Sequence, residues 1–137
     1  MTDTNRKKFL YLNRRAPYGT IYALESLEVV LIGAAFEQDV SLAFIDDGVY
    51  QLVAGQDTAA IGMKNFSKTY RALGDYDVRK LYIERESLVE RGLTAEQLMP
   101  ITYEDEDDDY REKPSIFLMD RSEMAKLIAE HDVVLSF

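Results

Sequence analysis

The side chains best placed to do chemistry in this sequence are Asp46 and Asp47, which directly follow the apolar run at residues 40–45. A β-branched and aromatic run that stops at Asp-Asp-Gly is typical of a buried strand entering a loop. In open α/β sheets, ligands and reactive groups gather at the carboxyl ends of strands. Adjacent residues at a strand end point to opposite faces, so we do not expect these carboxylates to share a proton. We interpret them as turn-forming and helix-capping residues before Gly48, with docking or acid–base catalysis as alternatives.

The sequence lacks the side chains that most covalent and metal chemistry requires. It contains no cysteine, which excludes disulfides, thiolate ligands and thiol nucleophiles. Its single histidine, His131, would need ligands or partners from another chain to build a zinc site or a catalytic triad. We expect His131 at the C-terminal end of a helix, in a structural role. We therefore predict no catalytic residue, no cofactor site and no metal site.

A second candidate site is an anion site made by Arg14 and Arg15 with the backbone of Gly19 and Thr20 at a predicted helix start. The sequence has neither the Gly-x-Gly-x-x-Gly pattern nor Gly-Lys-Ser/Thr, which nucleotide-binding loops use. We favour solvated arginines or ion pairs between subunits. A small-ligand-binding α/β protein is kept as an alternative hypothesis.

Charge and length limit the classes of protein that this chain can represent. The chain has 137 residues and a net charge of -9, which argues against direct binding of nucleic acid. We expect one domain over residues 1–137, with a flexible N-terminus at residues 1–6. Residues 104–109 carry six carboxylates, and we predict an acidic loop over residues 104–115. Such a loop is either simply solvated or attracts a basic partner.

Hydropathy gives no indication of a membrane segment or an export signal. The longest uncharged apolar run, residues 29–36, has eight residues, whereas about 20 are needed to span a bilayer. We expect a cytoplasmic protein without membrane contact.

Alternating strand and helix patterns predict an α/β fold with a mainly parallel sheet between two helical layers. We predict strands at residues 8–13, 40–45, 80–84, 101–103, 116–119 and 133–137, and helices at residues 20–37, 57–73, 87–91 and 121–130. Thr94 with Gln97 and Asp120 with Glu123 resemble capping boxes. We expect the last strand to pair inside the sheet.

The first predicted helix has more apolar surface than one sheet face requires. Leu27 and Leu31 lie on one face at helical spacing, but residues 29–36 are apolar nearly all round. A second subunit is the simplest cover for this excess.

Five segments taken together resemble the DsrE/DsrF-like proteins, and within them the DsrF/TusC branch. The segments are Arg-Arg-Ala-Pro-Tyr-Gly-Thr at 14–20, Ala-Phe-Ile-Asp-Asp-Gly-Val-Tyr-Gln-Leu at 43–52, Leu-Gly-Asp-Tyr-Asp-Val at 73–78, Ser-Leu-Val-Glu-Arg-Gly-Leu at 87–93 and His-Asp-Val-Val-Leu-Ser-Phe at 131–137. Their order and spacing cover nearly the whole chain apart from residues 104–115.

The resemblance implies a five-stranded parallel sheet in a three-layer, DsrEFH-like fold. It also implies a heterohexamer that contains two copies each of a DsrE-like, a DsrF-like and a DsrH-like subunit, named TusD, TusC and TusB in the sister system. Such complexes transfer persulfide sulfur, and their acting cysteines lie on the DsrE-like and DsrH-like subunits. A persulfide requires a thiolate, which this chain lacks, so a non-catalytic subunit is expected. A small sulfur acceptor of the DsrC or TusE type is a further implied partner.

Two biological roles follow from the resemblance. DsrEFH-type complexes serve sulfur oxidation with reverse dissimilatory sulfite reductase, whereas TusBCD-type complexes serve 2-thiolation of the tRNA wobble uridine. The acidic stretch at 104–109 resembles an addition to the shorter TusC pattern, which favours sulfur oxidation. Our predicted interface residues are Tyr18, Val30, Phe36, Asp46, Asp47, Val49, Tyr50 and Gln51.

Overall fold

A central sheet of five parallel strands organises the computed structural model, which describes residues 7–16, 22–35, 39–54, 69–70 and 73–137. The strands along the chain are β1 (Lys8–Asn13), β2 (Asp39–Phe44), β3 (Leu81–Glu84), β4 (Thr102–Asp105), β5 (Arg111–Pro114), β6 (Ile116–Met119) and β7 (Val133–Ser136). The order in the sheet is β6-β3-β2-β1-β7, and β4 pairs with β5 separately. The predicted mainly parallel five-stranded α/β fold is confirmed.

Helices cover both faces of this sheet. The described α-helices are α1 (Tyr22–Ala35), α2 (Arg85–Glu90) and α3 (Arg121–Ala129), and 3₁₀ helices span Asp46–Leu52, Leu73–Tyr76, Ala95–Gln97 and Glu106–Asp108. Leu27 and Val30 of α1 pack into the larger core cluster, whereas Met124 and Leu127 of α3 pack with Leu10 on the opposite face. Residues 69 and 70 are helical, and the rest of the helix predicted to begin at residue 57 lies mostly outside the described residues. The same is true of residues 1–6.

Short sequence signals fix where two of these helices begin. The Asp120 carboxylate accepts from the Glu123 N–H at 2.8 Å, and the Glu123 carboxylate accepts from the Asp120 N–H at 3.3 Å. These two bonds form the predicted capping box at the start of α3. At the 3₁₀ helix Ala95–Gln97, the Gln97 side chain accepts from the Thr94 N–H at 2.8 Å.

The position of the last strand in the sheet differs from the prediction. β7 pairs with β1 alone and forms one edge of the sheet, and its Val134 and Leu135 are more than a third exposed. The C-terminus is nevertheless ordered, because the Phe137 N–H donates to Leu12 and its carbonyl accepts from the Arg14 N–H, both at 2.9 Å. A short apolar run does not reveal whether one or two neighbouring strands will pair with it.

The acidic stretch is a β-hairpin, so the prediction of a loop over residues 104–115 was wrong. β4 and β5 pair antiparallel, with Asp105 opposite Arg111. Lys113 Nζ lies 2.5 Å from the Asp105 carboxylate and 3.2 Å from that of Asp108, which neutralises part of the charge. From outside the hairpin, the Arg79 guanidinium contacts Glu106 at 2.8 Å. These ion pairs allow a strongly acidic segment to fold.

Within the described ranges, no helix combines the length and apolar character needed to cross a membrane.

Candidate functional site

The carboxyl edge of the sheet brings the ends of β1, β2 and β3 together under one polar loop. After β2, Asp46 adopts a left-handed conformation with φ of 50°, and the chain turns into the 3₁₀ helix Asp46–Leu52. This turn presses against β1, because a Cβ atom added at Gly48 would lie 1.9 Å from the Asn13 carbonyl oxygen. Only glycine fits at this position, so the Asp-Asp-Gly sequence fixes the loop against the neighbouring strand.

A buried carboxylate forms the centre of this edge. Glu84, the last residue of β3, is 5% exposed, and its Oε1 accepts from the Ser87 hydroxyl at 2.8 Å. The Ser87 oxygen in turn accepts from the Asp46 N–H at 2.9 Å. The ends of β2 and β3 are thus connected through one serine. Buried polar side chains in proteins normally have hydrogen-bond partners, and Ser87 provides one for Glu84.

Arg121, the first residue of α3, completes the network from the other side of the sheet. Its Nη2 donates to Glu84 at 2.9 Å and to Glu90 at 3.1 Å, and its backbone N–H donates to Glu86 at 2.8 Å. The hydrogen bond to Glu84 is the main cause that raises the pKa of Arg121 above its ordinary value. The arginine thus connects α3 to β3 and α2.

The two adjacent aspartates contact different arginines. Asp47 Oδ1 accepts from Arg91 Nε at 3.0 Å, and Asp46 Oδ2 lies 3.9 Å from Arg14 Nε. Both aspartate side chains are about half exposed. The geometry shows ion pairs at a surface and places no proton-sharing pair of carboxylates here.

The described residues at this edge offer charged groups and hydrogen bonds. The Ser87 hydroxyl donates to Glu84, and no imidazole stands beside it within the described residues. His131 precedes β7 at the opposite edge of the sheet, where its Nδ1 lies 2.7 Å from the Leu127 carbonyl oxygen. No group of three or more metal-ligating side chains occurs in the described part of the chain.

Comparison with known proteins places this fold in a family. The sequence profile of the DsrE/DsrF-like family matches residues 7–137. The chain belongs to the DsrE/DsrF-like family. It is similar to the intracellular sulfur oxidation protein DsrF of Allochromatium vinosum, with 58% identity over 131 residues that cover 96% of each chain. Within this DsrE/DsrF-like group, a TusC homologue of Vibrio vulnificus is 39% identical over 89 residues, which cover 65% of this chain and 75% of the homologue.

A solved structure with low sequence identity to this chain has a similar fold. The ychN protein of Escherichia coli superposes with a TM-score of 0.70 at 19% identity, covering 96% of this chain and 99% of that one. At this level of identity the likeness concerns the fold alone.

Several residues that we predicted at an interface are instead inside this DsrE/DsrF-like domain. Val30 and Val49 are fully buried in the core, and Gln51 is 1% exposed. The Gln51 amide donates to the Arg15 carbonyl at 2.9 Å, and its Oε1 accepts from the Tyr70 hydroxyl. Val30 is buried because this face of α1 packs into the core, and Val49 and Gln51 are buried within the 3₁₀ helix Asp46–Leu52. They are not available at the surface.

The other predicted interface residues have different positions. Asp46, Asp47 and Tyr50 are partly exposed, and their contact with a partner stays a prediction. Tyr18 and Phe36 lie outside the described residues.

Ile32 on α1 is 58% exposed and lies in the run at residues 29–36 for which we predicted a second subunit as cover, although it was not among the named interface residues. The sequence signal for the exposure of Ile32 was this run, which is apolar nearly all round. Val89 on α2 is 75% exposed and was not predicted.

Proposed function

We propose that this chain is a non-catalytic, DsrF-like subunit of a heterohexameric sulfur-transfer complex that serves intracellular sulfur oxidation with reverse dissimilatory sulfite reductase. Its partners in this proposal are DsrE-like and DsrH-like subunits, with two copies of each of the three chains. The observation that carries the proposal is the 58% identity to a DsrF protein over 96% of both chains. An alignment of this extent also includes most of the acidic hairpin.

The absence of cysteine supports a subunit that does not carry sulfur itself. A persulfide forms and is released only at a thiolate, and the 137-residue sequence contains none. The paired carboxylates and arginines at the carboxyl edge offer charge but no sulfur nucleophile. We infer that the acting cysteines are on partner subunits and that this chain positions them.

Exposed apolar surface on α1 supports assembly with other subunits. Ile32 is 58% exposed, although Val30 and Leu27 of the same helix are buried. Ile32 is part of the run at residues 29–36, which is apolar nearly all round, and a continuous apolar surface of this kind often marks an interface. We propose that Ile32, together with Asp46, Asp47 and Tyr50 at the carboxyl edge, contacts the partner subunits.

Co-expression with the DsrE-like and DsrH-like chains, followed by native mass spectrometry, tests the assembly. We expect one complex with two copies of each chain. Ile32→Asp should break this complex, whereas Ile32→Leu should preserve it, because only the former introduces a charge into an apolar contact. A wild-type chain that stays monomeric in the presence of both partners would contradict the proposal.

Sulfur loading is tested separately on the intact subunits. After incubation of the purified complex with a persulfide donor, we expect the mass of a partner chain to increase by one or more sulfur atoms. The mass of this chain should stay the same. Turnover of a sulfur substrate by this chain alone would show that it is an enzyme.

The second candidate function is that of a TusC-like subunit in tRNA wobble-uridine thiolation, which the 39% identity to a TusC homologue favours. Deletion of the gene would then lower the 2-thiouridine content of tRNA, measured by mass spectrometry of nucleosides. Under the DsrF-like proposal, the deletion impairs intracellular sulfur oxidation and leaves tRNA thiolation unchanged.

A further inference from the structure

The edge of the sheet at β6 has backbone N–H and C=O groups for which the described residues provide no partner. The Leu81 N–H donates to the Ser115 carbonyl at 2.9 Å, and Leu81 pairs with Ile116 in parallel register. Backbone N–H and C=O groups alternate in direction along a strand. Those of Phe117 therefore point towards β3, whereas the N–H and C=O groups of Ile116 and Leu118 point away from the sheet. None of the described residues bonds to these outward groups. Such an edge can accept another strand.

An apolar groove lies directly beside this edge. It has a volume of about 390 Å³ and is open to solvent. Its lining includes Leu98, Met99, Ile101, Pro114, Ile116 and Leu118. The side chains of Ile116 and Leu118 thus form one wall, and their outward backbone groups lie next to it. A strand added to β6 would place every second side chain against this groove.

The acidic hairpin, formed by β4 and β5, begins at one end of the groove. Its first residue pair, Thr102 and Pro114, also lines the groove. Residues 104–113 contain seven carboxylates and two cationic side chains. Glu104 and Glu112 are exposed, lie directly opposite each other in the hairpin, and have no ion pair among the described residues. Like charges in such a cross-strand pair destabilise a sheet unless a cation lies between them. The hairpin therefore provides a site for a positive charge beside the groove.

We propose that the β6 edge and its groove bind an extended segment of another protein, with apolar side chains at alternate positions and Lys or Arg at the end next to the hairpin. The backbone of the segment bonds to Ile116 and Leu118, its apolar side chains fill the groove, and its cations neutralise Glu104 and Glu112. This inference goes beyond the proposed function, because it requires neither a sulfur carrier nor the heterohexamer.

A second copy of this chain does not match these requirements. The other edge strand of the sheet is β7, and residues 127–137, which include it, contain no Lys or Arg. The nearest cation after β6 is Arg121, and that guanidinium is held by Glu84 and Glu90. The charge of the hairpin therefore favours a different, basic chain.

Binding of a labelled synthetic peptide to the full-length chain tests the proposal. The probe is a peptide of about ten residues, with lysines followed by alternating isoleucine and threonine. We expect binding that weakens with salt, is lost when lysines are replaced by glutamates, and is lost when alternate backbone nitrogens are methylated. Methylation removes the donors without changing the charge, so it separates strand addition from electrostatic attraction alone.

Matched variants of the chain locate the site. Glu104→Gln combined with Glu112→Gln should weaken peptide binding about fivefold, whereas Glu25→Gln combined with Glu28→Gln on α1 should not change it. Leu118→Asp should abolish binding, with circular dichroism used to check that the variant is folded. Absence of binding to the folded wild-type chain would overturn the proposal, as would binding that none of these changes affects. A dimer of the chain that Leu118→Asp dissociates would identify a second copy as the occupant and would also overturn it.

Discussion

Arg121 Nη2 lies 2.9 Å from Glu84 Oε1, so the first residue of α3 is bonded to the last residue of β3. Glu84 is almost completely buried, whereas Glu90, which contacts the same guanidinium nitrogen at 3.1 Å, is about half exposed. We expect Glu84→Gln to lower the free energy of unfolding by about 1–2 kcal/mol, because it weakens hydrogen bonds to both Arg121 and Ser87. Urea denaturation measures this change.

Glu90→Gln is the matched control for this buried carboxylate. Because Glu90 is solvated, we expect a change within about 0.5 kcal/mol. Equal effects of the two substitutions would show that burial of Glu84 does not matter for stability.

Gly48 is expected to tolerate no side chain. A Cβ at this position would meet the backbone of Asn13 at 1.9 Å, so Gly48→Ala forces the turn after β2 away from β1. We expect a loss of at least about 3 kcal/mol in unfolding free energy, or an insoluble protein.

Gly92 provides the comparison for Gly48, because its φ is +67° but, apart from its two chain neighbours, no atom of the described residues lies within 4 Å of an added Cβ. Gly92→Ala should therefore cost only the backbone strain, about 1 kcal/mol. Thermal unfolding of both variants distinguishes steric overlap from strain. A Gly48→Ala protein as stable as Gly92→Ala would refute the close contact at the carboxyl edge.

The hairpin should lose stability in acid. Hydrogen bonds from Lys113 and Arg79 hold the pKa values of Asp105 and Glu106, respectively, below their ordinary values. A lowered folded pKa stabilises the fold above the ordinary carboxyl pKa, which is about 4. That contribution disappears as the pH falls through the lowered value. The protection factors of the amides in β4 and β5, that is, their exchange rates relative to an unfolded chain at the same pH, should therefore fall below about pH 4.

Lys113→Gln tests the cause of this acid sensitivity. Without the ammonium group, the pKa of Asp105 should rise towards its ordinary value, which NMR titration of the carboxyl carbon measures. The pKa of Glu106, whose main partner is Arg79, should change much less. A pKa of Asp105 that is unchanged in the variant would contradict the ion pair.

The Tyr70 hydroxyl donates to the buried Gln51 side chain, which connects the described helical residues to the loop after β2. Tyr70→Phe should destabilise the fold by about 1 kcal/mol, because it removes a buried donor. Tyr76→Phe is the control, since Tyr76 is 56% exposed and its substitution should be close to neutral. Chemical denaturation of the two variants checks the difference.

Local sequence signals located most of the sheet and its helices. The alternating elements predicted the α/β fold, and β1 begins and ends at the predicted residues, 8 and 13. The capping pair Asp120 and Glu123 marked the start of α3. Such features could be predicted because caps and apolar runs act within a few residues of each other along the chain.

The acidic hairpin could not be predicted in the same way. Its carboxylates suggested a solvated loop, because the cation that contacts Glu106 comes from Arg79, far away in the sequence. The same limitation applied to Val30, Val49 and Gln51, which were assigned to an interface although they are buried within the chain. The exposure of a residue depends on which elements fold over it, and this is not visible in the sequence. The same types of apolar residue occur in cores and at interfaces.

The sequence by itself determined the family, the fold class and the absence of a sulfur nucleophile, because these follow from residue types and their order. The tertiary structure alone decided that Glu84, Ser87, Arg121 and Asp46 form one network, and that β6 and β7 are the open edges of the sheet. These relations join residues distant in sequence, and their energies arise only when packing removes water between the partners.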